Sequence, residues 1–573
     1  MTARSACIAG LALLPAVAVA QDSVAVDSTP PVPEAAVGVA FEGPIGPLPV
    51  GSRWVFDRDS LVWTSAFTVA DLLAEVPGVF TARTGFVQSA AEVGVGGRGA
   101  FGVELYWDGI PWQPVGPDSV GPDLSAISLF TLRRVEVQML PARLRVFLIS
   151  ERHEQQESRS VVRIVSGALR TGGYAGLFQQ GWKGGLRLSV AGDAMRTERP
   201  EAPVGDRRFD TWARLDWLPA PTIQATWQFR RRELSRDPHT SSGITFGARD
   251  GQRTDALLML RAATRPLGEG WSAGTALRSS GYQDSLFGQR VMREVMVDAG
   301  HRGARDELRL RVGLGDGAVR RRADLEAGFT GLGSIVVRGA AHWTRDGFER
   351  DSWRTWGTGG FVFGRIGING EAVRTRAVAH PLLEADTVQR TTDLAVRLAY
   401  TDGRLAGRVG VERRGAWSPG TLTLAPAVAL RPVTESDWVV AWVRLGPVRA
   451  FTITGSYADA EGPGSPDLQP PTHGRVQFTY RNKFWRTFRS GAFDLKIQWS
   501  FESWSRGTVG QVGGSAIALP GVTFQEWFVQ FEIAGFRAFY SLRNARNASV
   551  GYLPGFIQPR NAQTFGVKWE FSS

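Results

Sequence analysis

Few residue patterns in this chain have the types and spacing that chemistry needs. Gly94-x-Gly96-x-x-Gly99 has the spacing of a loop that cradles a pyrophosphate. That role requires a helix opening at the last glycines, so that its N-terminus faces the anion. Phe101-Gly102-Val103-Glu104-Leu105-Tyr106 follows instead and reads as a strand, so Gly97-Arg98-Gly99 reads as a tight turn. His153-Glu154 with Glu157 is not a metal-ligand spacing and reads as a charged turn. The other histidines are far apart, and the one cysteine, Cys7, lies in the extreme N-terminus. There is no G-x-S-x-G or P-loop pattern, and the carboxylates are spread without a pair that stands out. No catalytic residue, metal ligand or cofactor is expected, and the chain does not read as an enzyme.

The 66 Lys and Arg against 55 Asp and Glu leave a net charge of +11. Almost all of the positive charge is arginine, since the lysines are only Lys183, Lys483, Lys496 and Lys568. The arginines alternate along extended segments together with Asp and Glu. Such a distribution argues against a nucleic-acid patch and for a polar sheet face.

The elements that carry these residues begin with a leader. Residues 1–20 have a short basic start, an apolar stretch and Ala18-Val19-Ala20 before Gln21, the pattern of a secretory signal peptide. Residues 21–51 form a Pro/Ala/Val-rich linker. Beyond about residue 160 the apolar period is two. Leu308, Leu310, Val312 and Leu314 alternate with Arg309, Arg311 and Gly313, and Leu394, Val396, Leu398 and Tyr400 do the same against Asp393, Ala395, Arg397 and Ala399. Phe493, Leu495, Ile497, Trp499 and Phe501 alternate with Asp494, Lys496, Gln498 and Ser500. Such strands suit a tilted membrane crossing, and in lipid only a closed barrel satisfies their backbone groups. At roughly 19 residues per strand and connection, residues 160–573 yield about 22 strands. Longer connections at 233–251, 377–390, 458–474 and 505–520 are expected to be extracellular loops. Trp438, Trp442, Trp499 and Trp504 are expected in the interfacial girdles.

Residues 52–165 differ in texture. Phe67–Leu73 predicts a short helix with Thr68 as N-cap, stopped by Pro77-Gly78. Short strands are expected at Val79–Arg83, Glu92–Gly97, Val103–Trp107 and Arg134–Gln138, with Asp108-Gly109 as a turn. The motifs TVADLLAEVPGVFTARTG (68–85), VGVGGRG (93–99), VELYWDGIPWQP (103–114) and DLSAISLFTLRRVEVQMLPA (123–142) occur in that order. Together they resemble the plug domain of TonB-dependent outer-membrane receptors. The stretch FRAFYSLRNARNASVGYLPGFIQPRNAQTFGVKWEF (536–571) resembles the last two strands of that family. The family's small-residue stretch after Ala142 is replaced here by the bulkier RLRVFLISERHEQQESRSVVRIV (143–165).

The resemblance implies a mainly β fold, a transmembrane antiparallel β-barrel of about 22 strands (166–573) with a small α/β plug (52–165) in its lumen. It implies outer-membrane uptake of a scarce solute, siderophore-like or otherwise, powered by the TonB complex of the inner membrane. Asp22, Ser23, Val24, Ala25 and Val26 resemble a TonB box, which would engage TonB by strand addition. Gly97, Arg98, Gly99, Asp108, Gly109, Arg133, Arg134 and Glu136 become candidates for holding the plug, with Arg98 facing barrel-wall carboxylates. The implied surroundings are outer-membrane lipid and lipopolysaccharide, the implied state is a monomer, and no nucleic acid is implied. The other reading left open is a plugged barrel without transport, serving as an adhesin, scaffold or surface-assembly component. The loops decide the ligand, and its identity is not legible.

Overall fold

The computed structural model describes residues 42–44, 46 and 52–572, apart from 88, 117–121, 200–201, 238, 242–243, 247–249, 285–287, 332–333, 379–383, 385, 422–426, 462–464 and 554–556. The leader, the linker through Phe41 and, within it, the segment Asp22–Val26 lie outside the described residues.

The first folded unit is a small α/β domain. Its strands are β1 (Arg53–Phe56), β2 (Val79–Arg83), β3 (Ala91–Val95), β4 (Val103–Trp107), β5 (Ile110–Pro111), β6 (Leu132–Leu140) and β7 (Arg143–Ser150). Two short helices, α1 (Arg58–Val62) and α2 (Val69–Leu73), join them. Five strands form one sheet in the order β1-β6-β7-β4-β5, and β2 pairs with β3 separately. Helix α2 starts where expected, because Thr68 and Asp71 cap each other's backbone N–H groups in a capping box. Its Val69, Leu72 and Leu73 pack with Val135, Val137, Val146 and Leu148 of the sheet in one buried cluster.

The segment after Ala142 is not an irregular joint. Arg143–Ser150 is β7, buried along its whole length, antiparallel to β6 and parallel to β4. Its bulk is the bulk of a central strand. Residues 151–158 then lead into the wall, which begins at Arg159, ahead of the boundary at 165/166 expected from the sequence. The reason is the closure. Arg159–Gly167 pairs with Ala562–Ser572, from Gly167↔Thr564 to Arg159↔Ser572, and so seals the ring.

That ring is a closed antiparallel barrel of 22 strands among the described residues. Its burial inverts that of a water-soluble protein. In the strand Asp306–Gly315, Leu310 and Val312 are each 47% exposed, whereas Arg309 is 4% and Arg311 3% exposed. Apolar side chains pointing out of the ring and charged ones pointing in are what a lipid solvent selects.

The connections at the end that bears the C-terminus are short, as in 221–222, 364–365, 449–450 and 534–535, so this end is periplasmic. The long connections crowd the other mouth. The four expected as extracellular loops are there, joined by 415–435 and 544–561. The expected tryptophan girdle is only partly present. Trp499 stacks on Trp527 outside the ring, but Trp438 and Trp504 are buried inside, and Trp442 meets Trp54 of the plug. Residue parity explains the difference. Trp504 lies on the same face as Gln498, Ser500 and Glu502, and Trp438 on the same face as buried Val440.

Candidate functional site

The small domain sits inside the barrel, and their interface is where charged and hydrogen-bonding groups concentrate. It starts from a turn. Gly96, Gly97 and Gly99 take positive φ (58°, 69° and 56°), which projects Arg98 from a tight bend. Arg98 is 1% exposed. Its guanidinium is paired with Asp393 on the wall, donates to Thr391 Oγ1 at 3.0 Å and lies 5.5 Å from the Trp417 ring. Gly97 N–H donates to Gln469 Oε1 at 2.9 Å. A Cβ on Gly97 would stand 2.7 Å from Pro466 Cγ, so the glycine permits close approach of a loop. Gly99 has its closest neighbour in Leu430, also in a loop.

Asp108 and Gly109, at φ 46° and 82°, form the two-residue turn between β4 and β5. The Asp108 carboxylate is fully buried and accepts from Ser150 N (2.9 Å), Ser150 Oγ (2.8 Å) and Gln228 Nε2 (2.6 Å), with Arg214 at 3.3 Å. The wall then holds this hairpin by its main chain. Arg311 donates to Gly109 O (2.7 Å), Arg278 to Pro111 O (2.6 Å) and Arg253 to Gln113 O (3.0 Å). Arg253 and Arg230 also stack on Trp112 and Trp107, at 3.7 Å and 4.2 Å from the ring centres. These clasping arginines were not singled out in the sequence. A donor that binds a backbone carbonyl has no side-chain partner whose identity could signal it.

The other candidates are placed differently. Arg133 pairs with Glu154, Arg134 with Glu136 at 2.8 Å, and Glu136 also with Arg53. These salt bridges link plug residues to one another, because β6 lies between β1 and β7. On the neighbouring strand β7 the charged side chains do reach the wall. Arg145 is buried among Tyr106, Phe147 and Trp356 and bonds Glu326 Oε1 at 2.5 Å. Glu104 on β4 faces Arg143 (3.5 Å), Arg145 (3.6 Å) and wall residue Arg354. Burial pushes the Glu104 carboxyl up, but Arg354, Arg143 and Arg145 outweigh it and hold it at about 2. For Asp71, burial likewise opposes and is outweighed by Arg543 and Arg83, so its carboxyl stays below the ordinary value.

On the extracellular side four loops close over one flank of the plug. Leu468 of 462–471 donates its N–H to Thr508 O of 505–521 at 2.9 Å, and Ala429 of 415–435 exchanges hydrogen bonds with Gln511. Phe80 at the start of β2 meets Trp504 (5.3 Å) and Tyr552 of the 544–561 loop (5.8 Å), and Phe101 stacks on Trp417 at 4.7 Å. The Tyr552 hydroxyl donates to Glu502 Oε2 at 2.9 Å, and burial together with that carboxylate keeps it protonated well above its ordinary value. Among the described residues no group of three or more His, Cys, Asp or Glu could hold a metal ion.

This arrangement is a barrel wide enough to conduct, stoppered by a folded domain and roofed on one flank. Residues 50–144 match the family model of the TonB-dependent receptor plug domain. The whole fold is similar to the ferric enterobactin receptor PfeA of Pseudomonas aeruginosa, at 10% identity and TM-score 0.68, over 91% of this chain and 98% of that one. It is similar to the FrpB iron transporter of Neisseria meningitidis, at 9% identity and TM-score 0.68, over 91% and 99% of the two chains. It is also similar to the copper transporter OprC, at 12% identity and TM-score 0.69, over 91% and 100%. No curated protein matches the chain in sequence. Residues 50–144 thus carry a plug domain of the TonB-dependent receptor type, and the whole chain has the fold of a plugged β-barrel. The protein is an outer-membrane protein of a Gram-negative-type bacterium, with the architecture of outer-membrane transporters.

Proposed function

We propose that this protein takes up a scarce solute across the outer membrane and releases it inward when TonB pulls on the plug. The supporting observation is the closure itself. A domain filling the lumen is tied to the wall by buried ion pairs and carbonyl clasps, so passage requires work on the plug. With no nucleotide-binding motif in the chain, that work comes from outside it, through the segment Asp22–Val26. An anionic solute fits the wall. Arg322, near the extracellular end of its strand, is 7% exposed and leaves Nε without a hydrogen-bond partner, with Asp324 two residues on along the same inward face. Arg232, also near that end, leaves Nε and Nη2 without hydrogen-bond partners, with Asp210 at 3.9 Å.

Ferric enterobactin, iron and copper, named for the similar structures, supply the first probes. Uptake should appear in cells with TonB and vanish without it or when residues 22–26 are deleted. Equal uptake in all three strains refutes the proposal. The interlocked loops over Phe80 favour a second reading, a permanently closed barrel serving as scaffold or adhesin. For that protein, deleting 22–26 leaves surface function unchanged.

A further inference from the structure

Among the described residues the periplasmic turns of the barrel are short, with one exception. Residues 483–492, between the strands Thr472–Asn482 and Phe493–Trp504, read Lys-Phe-Trp-Arg-Thr-Phe-Arg-Ser-Gly-Ala. The turn is folded. Thr487 and Phe488 donate their N–H groups to Phe484 O at 2.9 Å, and Gly491 donates to Phe488 O at 3.0 Å.

Its rings point toward the lipid side. Phe484 and Phe488 pack on Phe493 at 5.6 Å and 5.0 Å, and Phe484 lies 6.3 Å from Tyr480, which meets Phe451 at 4.8 Å. Phe493 and Tyr480 are on the outward-facing parity of their strands, and Phe451 is an exposed residue at the same rim. Trp485 and Phe488 remain exposed. The turn therefore extends the aromatic belt at the periplasmic interface rather than the plug contact.

Its charges are all of one sign. Among the described residues Lys483, Arg486 and Arg489 have no ion pair; Lys483 lies 5.5 Å from the Trp485 ring. Elsewhere along this rim arginines meet acids, as in Arg302–Glu307 at 2.9 Å, Arg365–Asp402 at 3.2 Å and Arg537–Glu532 at 2.7 Å. The neighbouring turns continue the unpaired series. Exposed Arg449 precedes Ala450, whose carbonyl accepts from Arg481 N at 2.9 Å. Exposed Arg404 accepts at its carbonyl from Gly446 N at 2.7 Å.

We propose that the 483–492 turn, with Arg449 and Arg404 beside it, is a docking site for an anionic phospholipid of the periplasmic leaflet. Rings at headgroup depth seat the glycerol and upper acyl region, and the unpaired cations take the phosphate. A periplasmic protein is the competing occupant, but rings folded onto lipid-facing side chains favour lipid. Such docking depends on the barrel's orientation in the membrane and not on its transport activity.

The test uses full-length protein released from nanodiscs containing equal phosphatidylglycerol and phosphatidylethanolamine, with retained lipid counted by native mass spectrometry. The wild type should keep phosphatidylglycerol at least about tenfold over phosphatidylethanolamine. Lys483→Gln/Arg486→Gln/Arg489→Gln should abolish that preference, and Trp485→Ala/Phe488→Ala should reduce retention of both lipids. Arg486→Glu alone should weaken the preference severalfold, should the triple variant fail to assemble. A wild type without preference, or charge variants that keep it, overturns the proposal and leaves the turn to a protein partner. Uptake measured in parallel should not change, which separates this result from a failure of the transport reading.

Discussion

Replacing Asp393 with Asn tests whether the plug is held by buried charge. The substitution keeps the side chain's shape and its acceptor toward Gly415 N, now at 2.9 Å, but removes the counter-charge of Arg98. Arg98 and Asp393 are each at most 1% exposed, so neither water nor salt can screen the cation left behind. Thr391 Oγ1 at 3.0 Å offers it only a neutral acceptor. Stranding one member of a buried pair costs about 3–5 kcal/mol. With about 1.4 kcal/mol per decade, opening of this part of the plug should become about two to three and a half orders of magnitude more frequent. Hydrogen–deuterium exchange in detergent reads this directly in peptides covering β3 and the turn at Arg98. Protection there should fall by that factor, while the wall strand Gly288–Arg302 should exchange as in the wild type. Arg98→Met/Asp393→Leu, which removes both charges, should recover most of the protection. Unchanged exchange in Asp393→Asn would refute the argument that this pair holds the plug.

Other expectations follow from the same interface. Glu104, held at about 2 instead of its ordinary 4.5 by wall residue Arg354 and by Arg143 and Arg145 of its own domain, contributes about 3 kcal/mol to the stability of the folded protein above pH 4.5. That contribution should disappear as the pH falls from 4.5 through 2, seen as rising exchange in β4, and Glu104→Gln should remove it at neutral pH. Gly97→Ala must place a Cβ at φ +69° and 2.7 Å from Pro466, at a cost of about 2–4 kcal/mol, so proteases should cut the 462–471 loop sooner. Tyr552→Ala removes a ring packed on Phe80, Trp504 and Phe524 and should loosen the 544–561 loop by about 3–5 kcal/mol in limited proteolysis. Tyr552→Phe loses only the hydroxyl's bond to Glu502 and should cost about 1.5–3 kcal/mol.

The wall was legible because lipid writes its solvent into the sequence. Leu308 to Leu314 and Leu394 to Tyr400 name both faces by alternation, and spacing then gives the strand number. The plug was legible from local punctuation: the Thr68 cap, the Asp108-Gly109 turn and the glycines around Arg98. Side-chain direction was harder wherever one residue type suits both faces. Tryptophan is at home in a girdle and in a packed lumen, so Trp438 and Trp504 could be placed only by parity with their neighbours. Strand β7 was not among the expected strands, because the segment after Ala142 stood out only as bulkier than the family's, and Arg143 and Arg145 carry no local sign of burial. Their burial depends on Glu104, Glu326 and Arg354, which fold topology brings together. Asp393 as the partner of Arg98 was equally out of reach, for the two are 295 positions apart.

The seam between Arg159–Gly167 and Ala562–Ser572 also dictates an order of assembly. Until the stretch closest to the C-terminus docks, the wall is an open curl with two raw edges, and lipid tolerates neither. The stopper is tethered by residues 151–158 to one of those edges, so it rides beside the gap through which it must enter. Once the last strand zips on, no lateral opening remains, and a domain left outside would have to thread a crowded mouth. Enclosure must therefore precede closure, and a chain deprived of its final strand should be lost to quality control with its cargo half wrapped.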